Sequence, residues 1–243
     1  MNFEEIIKRI SSIAAFIVVF LLAAGIYLSS KGFVMGPVGS ISLVKNAYAV
    51  EKTSAEHKIA TDILIPWGKS LGSNKAKVTI YEYSSYGCTH CAHFQLKTLP
   101  EIQKNFIDPG LVRLVFNDFP LEQRSMQASL LAHCFKGQKF FRVSDLLFEK
   151  QREWGFASKP EEVFKKYAYL NGLSEEDFNK CMKDKELAQE IMDGRQFAAK
   201  NLGISGTPSF VISSAKGREV IYGAPDYDTL AALINKYLPE DKK

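Results

Sequence analysis

Two cysteines, Cys88 and Cys91, are separated by two residues at the point where a strand pattern changes to a helix pattern. Residues 78–83 are rich in β-branched and aromatic side chains, which predicts a strand. Residues 91–106 carry apolar side chains at helical spacing, which predicts a helix with a kink at Pro100. Cys88 is therefore expected at a helix N-terminus, where unpaired N–H groups and the helix dipole favour a thiolate. This pattern predicts two thiols that form and break a disulfide.

The residue pattern leaves two other interpretations of the motif open. Zinc uses four ligands, usually in two cysteine pairs, but the remaining cysteines, Cys134 and Cys181, stand apart in the sequence. A purely structural disulfide across two residues would close a small, strained ring that is easily reduced. We therefore favour redox chemistry over a metal site. His90, which lies between the two cysteines of the motif, adds a candidate cation next to Cys88.

Residues 1–49 have the pattern of a signal peptide or a membrane anchor. Lys8 and Arg9 precede an uncharged stretch, residues 10–28, of about the length that spans a bilayer. Residues 47–49, Ala-Tyr-Ala, fit a signal cleavage site, although a retained anchor is favoured. Cationic residues before the span favour export of the chain that follows it. Residues 50–70 are polar and charged at their start and are expected to form a linker or stalk.

The exported part of the chain shows no sign of nucleic-acid binding. The formal net charge is +4, and no basic run is interleaved with aromatic residues. Export leads to an oxidising compartment, in which disulfides persist. Cys134 and Cys181 are then a candidate structural disulfide, and the alternative is a pair of buried free thiols.

The order of elements predicts a core that is divided by a helical segment. A second strand is predicted at residues 111–116, and helical periodicity then dominates residues 123–202. Two further strands, residues 209–213 and 218–223, flank a short turn, and so short a turn joins antiparallel strands. A last helix is predicted over residues 226–238.

With these features the chain resembles the DsbA family of thioredoxin-fold thiol oxidoreductases. The resemblance is carried by Glu82, the motif at 88–91, the helical segment, and the sequence Gly-Ile-Ser-Gly-Thr-Pro-Ser-Phe at 203–210. It covers roughly residues 71–238 and implies an α/β chain with a thioredoxin fold and an inserted α-helical domain. The implied division is a thioredoxin-like core at 71–120 and 203–243 and an insertion at 121–202.

The resemblance also implies roles for individual residues. Cys88 would be the exposed nucleophile and Cys91 its buried partner, so the redox group is their own disulfide and no separate cofactor is expected. Thr207 and Pro208 resemble the family's cis-proline loop, which presents its backbone to an extended substrate peptide. An ordinary trans proline that opens an edge strand is the alternative.

Glu82 and His90 are the remaining candidate site residues. The resemblance implies that Glu82 is a buried acid that handles the proton of Cys91. Glu82 also shares one face of its predicted strand with Val78 and Ile80, which indicates burial, whereas an outward-facing glutamate is the alternative. In the family a histidine at the position of His90 accompanies strong oxidants; otherwise it is an exposed polar residue at a helix start.

The function implied is a periplasmic or otherwise extracytoplasmic thiol oxidase. It would introduce disulfides into reduced or unfolded exported proteins, and a membrane quinone oxidoreductase of the DsbB type would recharge it. A disulfide isomerase or reductase of the same fold, which usually oligomerises, is the second interpretation. A binding module that uses the fold only as a scaffold is the third, and the intact cysteine motif and Thr207-Pro208 argue against it.

Overall fold

The computed structural model describes residues 33–35, 41–43 and 68–240, and the chain divides into two compact units, residues 1–56 and 57–243. In the first unit, strands β1 (Phe33–Met35) and β2 (Ile41–Leu43) pair in antiparallel fashion.

The predicted membrane segment at 10–28 and the predicted cleavage site at 47–49 lie outside the described residues. Among the residues that are described, no helix combines the length and the apolar character needed to cross a bilayer.

A mixed sheet of five strands forms the centre of the described part of the second unit, in the order β3-β5-β4-β6-β7. Its strands are β3 (Lys69–Leu71), β4 (Val78–Ser84), β5 (Val112–Asp118), β6 (Ser209–Ser214) and β7 (Gly217–Tyr222). Strands β4 and β5 are parallel, and each other neighbouring pair in this sheet is antiparallel. The predicted hairpin is present as β6 and β7.

Strand β3 corrects the predicted boundary of the linker. Lys69 and Ser70, placed in the linker by sequence, pair with Phe116 and Val115 at the edge of the sheet. This strand is only three residues long and partly polar, so it shows no alternation that sequence reasoning could detect. Short edge strands of this kind are common because they offer little template for pairing with another chain.

The helix after β4 runs without a break from Thr89 to Ile107 and is called the CxxC helix below. It consists of α1 (Thr89–His93), a π-helical turn, α2 (Leu99–Ile102) and a second π-helical turn. Pro100 is the second residue of α2, two positions after the end of the first π-helical turn. Such turns change the backbone hydrogen-bond pattern, which suits a residue that has no N–H to donate.

The segment between β5 and β6 is helical, as the periodicity predicts. It contains α3 (Gln123–His133), α4 (Gln138–Glu149), α5 (Gln151–Gly155), α6 (Pro160–Leu170), α7 (Glu175–Met182) and α8 (Lys185–Leu202). Ser174 caps α7 by accepting a hydrogen bond from the backbone N–H of Asp177, the arrangement expected from the acidic first turn. A last helix, α9 (Tyr227–Tyr237), follows the hairpin.

The two faces of the sheet are covered by different helices. Ile80 and Phe210 on one face pack against Phe94 of the CxxC helix and against α9. Tyr83 and Val211, on the opposite face, pack with Ala198 of α8. The helical segment therefore covers part of the sheet and is not an isolated appendage.

The helical segment also has a core of its own that reaches the CxxC helix. Trp154, Phe148 and Phe164 are buried in it, together with Tyr86 and Cys91 from the region of the motif. The start of the CxxC helix therefore lies between the sheet and the helical segment.

Candidate active site at the Cys88–Cys91 dithiol

The two cysteines of the motif occupy different environments at the start of the CxxC helix. Cys88 is the N-cap residue of α1 and is half-buried, whereas Cys91 is fully buried one turn further on. The backbone N–H of Cys91 donates to Cys88 Sγ at 3.4 Å. Both are free thiols, so the structure shows the dithiol form of the site.

The pKa values of the two thiols move in opposite directions. The pKa of Cys88 falls from its ordinary 9.0 to about 5, chiefly because the Cys91 thiol donates a hydrogen bond to its sulfur. The Thr207 side chain and the backbone N–H groups of Cys91 and His90 lower the Cys88 pKa further, against the effect of burial. Burial is the main cause that raises the pKa of Cys91, and the hydrogen bond to Cys88 raises this pKa further. At neutral pH Cys88 is therefore a thiolate and Cys91 a thiol.

The loop that was predicted to bind substrate lies against Cys88. The Thr207–Pro208 peptide bond is cis, and Cys88 Sγ lies 3.3 Å from the Thr207 carbonyl oxygen, to which it can donate only in its protonated form. The Thr207 hydroxyl is buried and has no hydrogen-bond partner among the described residues. The structure thus brings together the nucleophilic sulfur and the backbone of a loop 119 residues further along the chain.

Glu82 is fully buried in the middle of the sheet, as its position in the strand indicates. Burial raises its pKa to about 7, whereas the Ser84 side chain and hydrogen bonding from Gln95 lower it. Gln95 Nε2 donates to both carboxylate oxygens, at 2.9 and 3.0 Å. Sequence reasoning missed Gln95, although its spacing of four residues from Cys91 on a helix was a usable signal.

The loop before Cys88 is held by the start of the helical segment, which sequence reasoning also missed. The Ser125 hydroxyl accepts a hydrogen bond from the Gly87 backbone N–H at 2.9 Å and another from Ser85 at 3.0 Å. Glu122, the N-cap of α3, accepts from Ser125 in turn. A Cβ on Gly87 would lie 2.3 Å from a Glu122 oxygen and 2.5 Å from the Ser125 hydroxyl, so any larger residue here would displace the side chains that hold the loop.

His90 and the other two cysteines have different relations to the dithiol. The His90 side chain is exposed, and in this structure it is the backbone N–H of His90 that contributes to the low pKa of Cys88. Cys134 and Cys181 are disulfide-bonded with a Cα–Cα distance of 5.7 Å, joining the end of α3 to α7. Within the described residues, no group of three or more His, Cys, Asp or Glu side chains is arranged to hold a metal ion.

This arrangement defines a class of protein. A dithiol at a helix start, an ionised outer sulfur, a buried inner sulfur and a proline loop against the outer sulfur can together exchange disulfides with a peptide. The chain belongs to the thioredoxin family, because residues 66–236 match the family model described as Thioredoxin.

Similar proteins narrow the class to DsbA-like proteins. Alpha-DsbA1 of Wolbachia pipientis is 28% identical with a TM-score of 0.65, and the match covers 71% of this chain and 92% of that one. BdbD of Bacillus subtilis, in its oxidised form, is 25% identical with a TM-score of 0.58 over 70% and 92% of the two chains. These likenesses confirm both the predicted DsbA resemblance and the predicted α/β thioredoxin fold.

Curated relatives carry names that agree with this fold. A putative protein-disulfide oxidoreductase of Rickettsia conorii is 28% identical over 175 residues, which are 71% of this chain. Disulfide bond formation protein D of Bacillus subtilis is 28% identical over 183 residues, which are 69% of this chain and 76% of that protein. The match covers 61% of the Rickettsia conorii relative, less than two thirds of its length.

Proposed function

We propose that this chain is a thiol:disulfide oxidoreductase that introduces disulfide bonds into exported proteins by exchange at Cys88 and Cys91. The observation that carries the proposal is the contrast between the two sulfurs. Cys88 is half-buried with a pKa of about 5, and Cys91 is buried with a raised pKa. The names of the relatives in Rickettsia and Bacillus support the same activity.

The proposed reaction begins with the Cys88–Cys91 disulfide. A substrate thiolate attacks Cys88 Sγ, so the bond to Cys91 breaks and its electron pair passes to Cys91, which takes up a proton. A second substrate thiolate then attacks the substrate sulfur of the mixed disulfide, and Cys88 leaves as a thiolate. The substrate is oxidised by two electrons, the enzyme is reduced, and the remaining substrate proton goes to solvent.

The low pKa of Cys88 favours this direction of the reaction. A stabilised thiolate is a good leaving group and also stabilises the reduced enzyme, so the dithiol passes its disulfide on to substrates. The proposed tuning role of the His90 side chain stays a prediction, since the contact with Cys88 seen here is made by the His90 backbone.

The Thr207 backbone is the proposed docking point for substrate. Its carbonyl oxygen contacts Cys88 Sγ, and an extended peptide that pairs with this loop would bring a cysteine to the same sulfur. Pro208 has no N–H that could compete for the carbonyl groups of the peptide. The substrates proposed are therefore reduced or unfolded chains in extended conformation.

The proposed location is extracytoplasmic, with residues 10–28 as an inner-membrane anchor. Lys8 and Arg9 before the uncharged stretch support this orientation. The Cys134–Cys181 disulfide supports an oxidising compartment. A membrane quinone oxidoreductase of the DsbB type is the proposed source of oxidising equivalents; neither nucleic acid nor a bound cofactor forms part of the proposal.

Oxidation of a reduced dicysteine peptide by glutathione disulfide tests the activity. The purified full-length chain should accelerate it, Cys88→Ala should abolish the acceleration, and Cys91→Ala should accumulate a mixed disulfide through Cys88. A chain that leaves the peptide reduced but restores activity to scrambled ribonuclease would instead be an isomerase. Acceleration that survives in Cys88→Ala would contradict the assignment of this site.

A further inference from the structure

We propose that the Ser84 hydroxyl relays a proton between the Cys91 thiol and the Glu82 carboxyl group, which makes Ser84 a catalytic residue of the exchange reaction. The inference rests on the function proposed above and concerns the step in which Cys91 gains or loses its proton. Cys91 and Glu82 are both fully buried, so a proton that moves between them needs a path inside the protein.

The register of strand and helix places Ser84 between these two groups. Glu82 and Ser84 are two residues apart on β4 and share one face of the sheet. Cys91 and Gln95 are four residues apart and share one face of the CxxC helix. The helix runs back along the strand after a short loop, so the contact between Gln95 and Glu82 brings Cys91 over Ser84.

The Ser84 hydroxyl is also available for this task. It is 1% exposed and, among the described residues, makes no hydrogen bond of full geometry. The register places it beside both groups, and the Ser84 side chain accordingly lowers the pKa of Glu82 and that of Cys91. A buried hydroxyl without a fixed partner is unfavourable unless it forms bonds in another state of the site.

The relay keeps protons and electrons in balance. When substrate attacks Cys88, the Cys91 sulfur leaves with the electron pair of the disulfide; Ser84 donates its proton to that sulfur and takes one from protonated Glu82. In the reverse direction, Cys91 gives its proton through Ser84 to the Glu82 carboxylate and attacks a mixed disulfide at Cys88. Glu82 exchanges its proton with solvent between turnovers.

Other titratable groups that face this path are few in the described structure. Asp145 of α4 raises the pKa of Glu82 by its charge, and burial raises the pKa of Asp145 itself. Burial also raises the pKa of Tyr86 well above 10, so Tyr86 stays neutral. Cys88 is a thiolate above pH of about 5. Between pH 6 and 8 the group on the path that titrates is therefore Glu82.

The test is the single-turnover oxidation of the reduced full-length chain by excess glutathione disulfide, in which attack by Cys91 on the mixed disulfide limits the plateau rate. In the wild-type chain this rate should rise with pH through the pKa of Glu82. Ser84→Ala should lower it about a hundredfold at pH 7 and remove the inflection, since general base catalysis contributes about that much. Ser84→Thr, which keeps the hydroxyl, should restore rate and inflection.

A matched control and a double variant separate a relay from a packing effect. Ser129→Ala removes a buried hydroxyl in α3, outside both β4 and the CxxC helix, and should leave rate and pH profile unchanged. Combined with Glu82→Gln, Ser84→Ala should cause no further loss, because both changes interrupt one path. The relay would be overturned if Ser84→Ala lowered the plateau rate equally in the wild-type chain and in Glu82→Gln. A wild-type pH profile in Ser84→Ala would overturn it as well.

A measurement on the wild-type chain keeps the proposal testable if Ser84→Ala fails to fold. When the plateau rate is measured in mixtures of H2O and D2O, its plot against the deuterium fraction should be curved, because two protons move in the relay. A straight line would mean a single proton and would refute it. In either test, peptide oxidation that depends on Cys88 leaves the proposed function standing while the relay falls.

Discussion

The difference in stability between the reduced and the oxidised protein should depend on pH through Cys88 alone. The reduced form carries a thiol whose pKa is about 5 when folded and 9.0 ordinarily, and the oxidised form has no such group. A depressed folded pKa contributes stability that is complete above the unfolded value and is lost as pH falls through the folded value. We therefore expect reduction to stabilise the fold most at pH 8 and least at pH 4.

The magnitude follows from the same two pKa values. At pH 7 the unfolded thiol is protonated and the folded one ionised, and the roughly two units between pH 7 and the folded pKa correspond to about 2.7 kcal/mol. Cys88 is only half-buried, so solvent screening reduces this to about 1–2 kcal/mol. Below pH of about 4 the contribution should vanish. Cys91 adds nothing to this stability difference between pH 4 and pH 8. Its raised pKa keeps it protonated in the folded chain, and it is also protonated in the unfolded chain.

Denaturant unfolding of both redox forms at pH 4, 5, 6, 7 and 8 measures the effect. Mild reduction must leave the Cys134–Cys181 bond intact, which mass spectrometry verifies. Cys88→Ala serves as control, since its stability should lack the contribution that disappears between pH 7 and pH 4. A gap between the redox forms that is the same at pH 4 and pH 8 would refute the argument that the fold stabilises a Cys88 thiolate.

Three further changes have defined outcomes. Glu82→Gln should stabilise the chain by up to about 3 kcal/mol above pH 7 and hardly at all at pH 4.5. The reason is that burial raises the pKa of this acid from 4.5 to about 7 and thus penalises its charged form. Denaturant unfolding of the variant and the wild-type chain at both pH values measures the difference. Replacing both Cys134 and Cys181 by Ala should cost about 4 kcal/mol of unfolding free energy for a loop of 47 residues, while peptide oxidation persists. Thr207→Val should raise the pKa of Cys88, seen as an upward shift in the thiolate absorbance titration, since the Thr207 side chain stabilises that thiolate.

The sequence was most informative where chemistry and local structure coincide. The cysteine motif at a strand-to-helix junction located Cys88 as the N-cap of the CxxC helix, and strand alternation placed Glu82 inside the sheet. The hairpin after Pro208 followed from turn length alone. Each of these inferences uses contacts between residues that are close in sequence or share one strand or helix.

What the sequence did not reveal depends on contacts between distant elements. Strand β3 is defined by its pairing with β5, because three residues at a sheet edge carry no periodicity of their own. Gln95 binds Glu82 across the gap between helix and sheet, and only the docking of the helix turns its spacing from Cys91 into a buried hydrogen bond. Periodicity predicted the helical segment and the resemblance identified it as an insertion, but neither revealed the residues through which it holds the site.

Those residues change how the helical insertion should be regarded. Its first turn binds the loop before Cys88 through Ser125 and Glu122, and the Gln151 side chain donates to the Tyr86 carbonyl in the same loop. A half-buried thiolate is a useful nucleophile only while its helix N-terminus keeps its position, since its low pKa comes from hydrogen bonds that a small displacement would lengthen. The insertion therefore acts on the chemistry of the site, because it helps to hold the loop from which the CxxC helix starts.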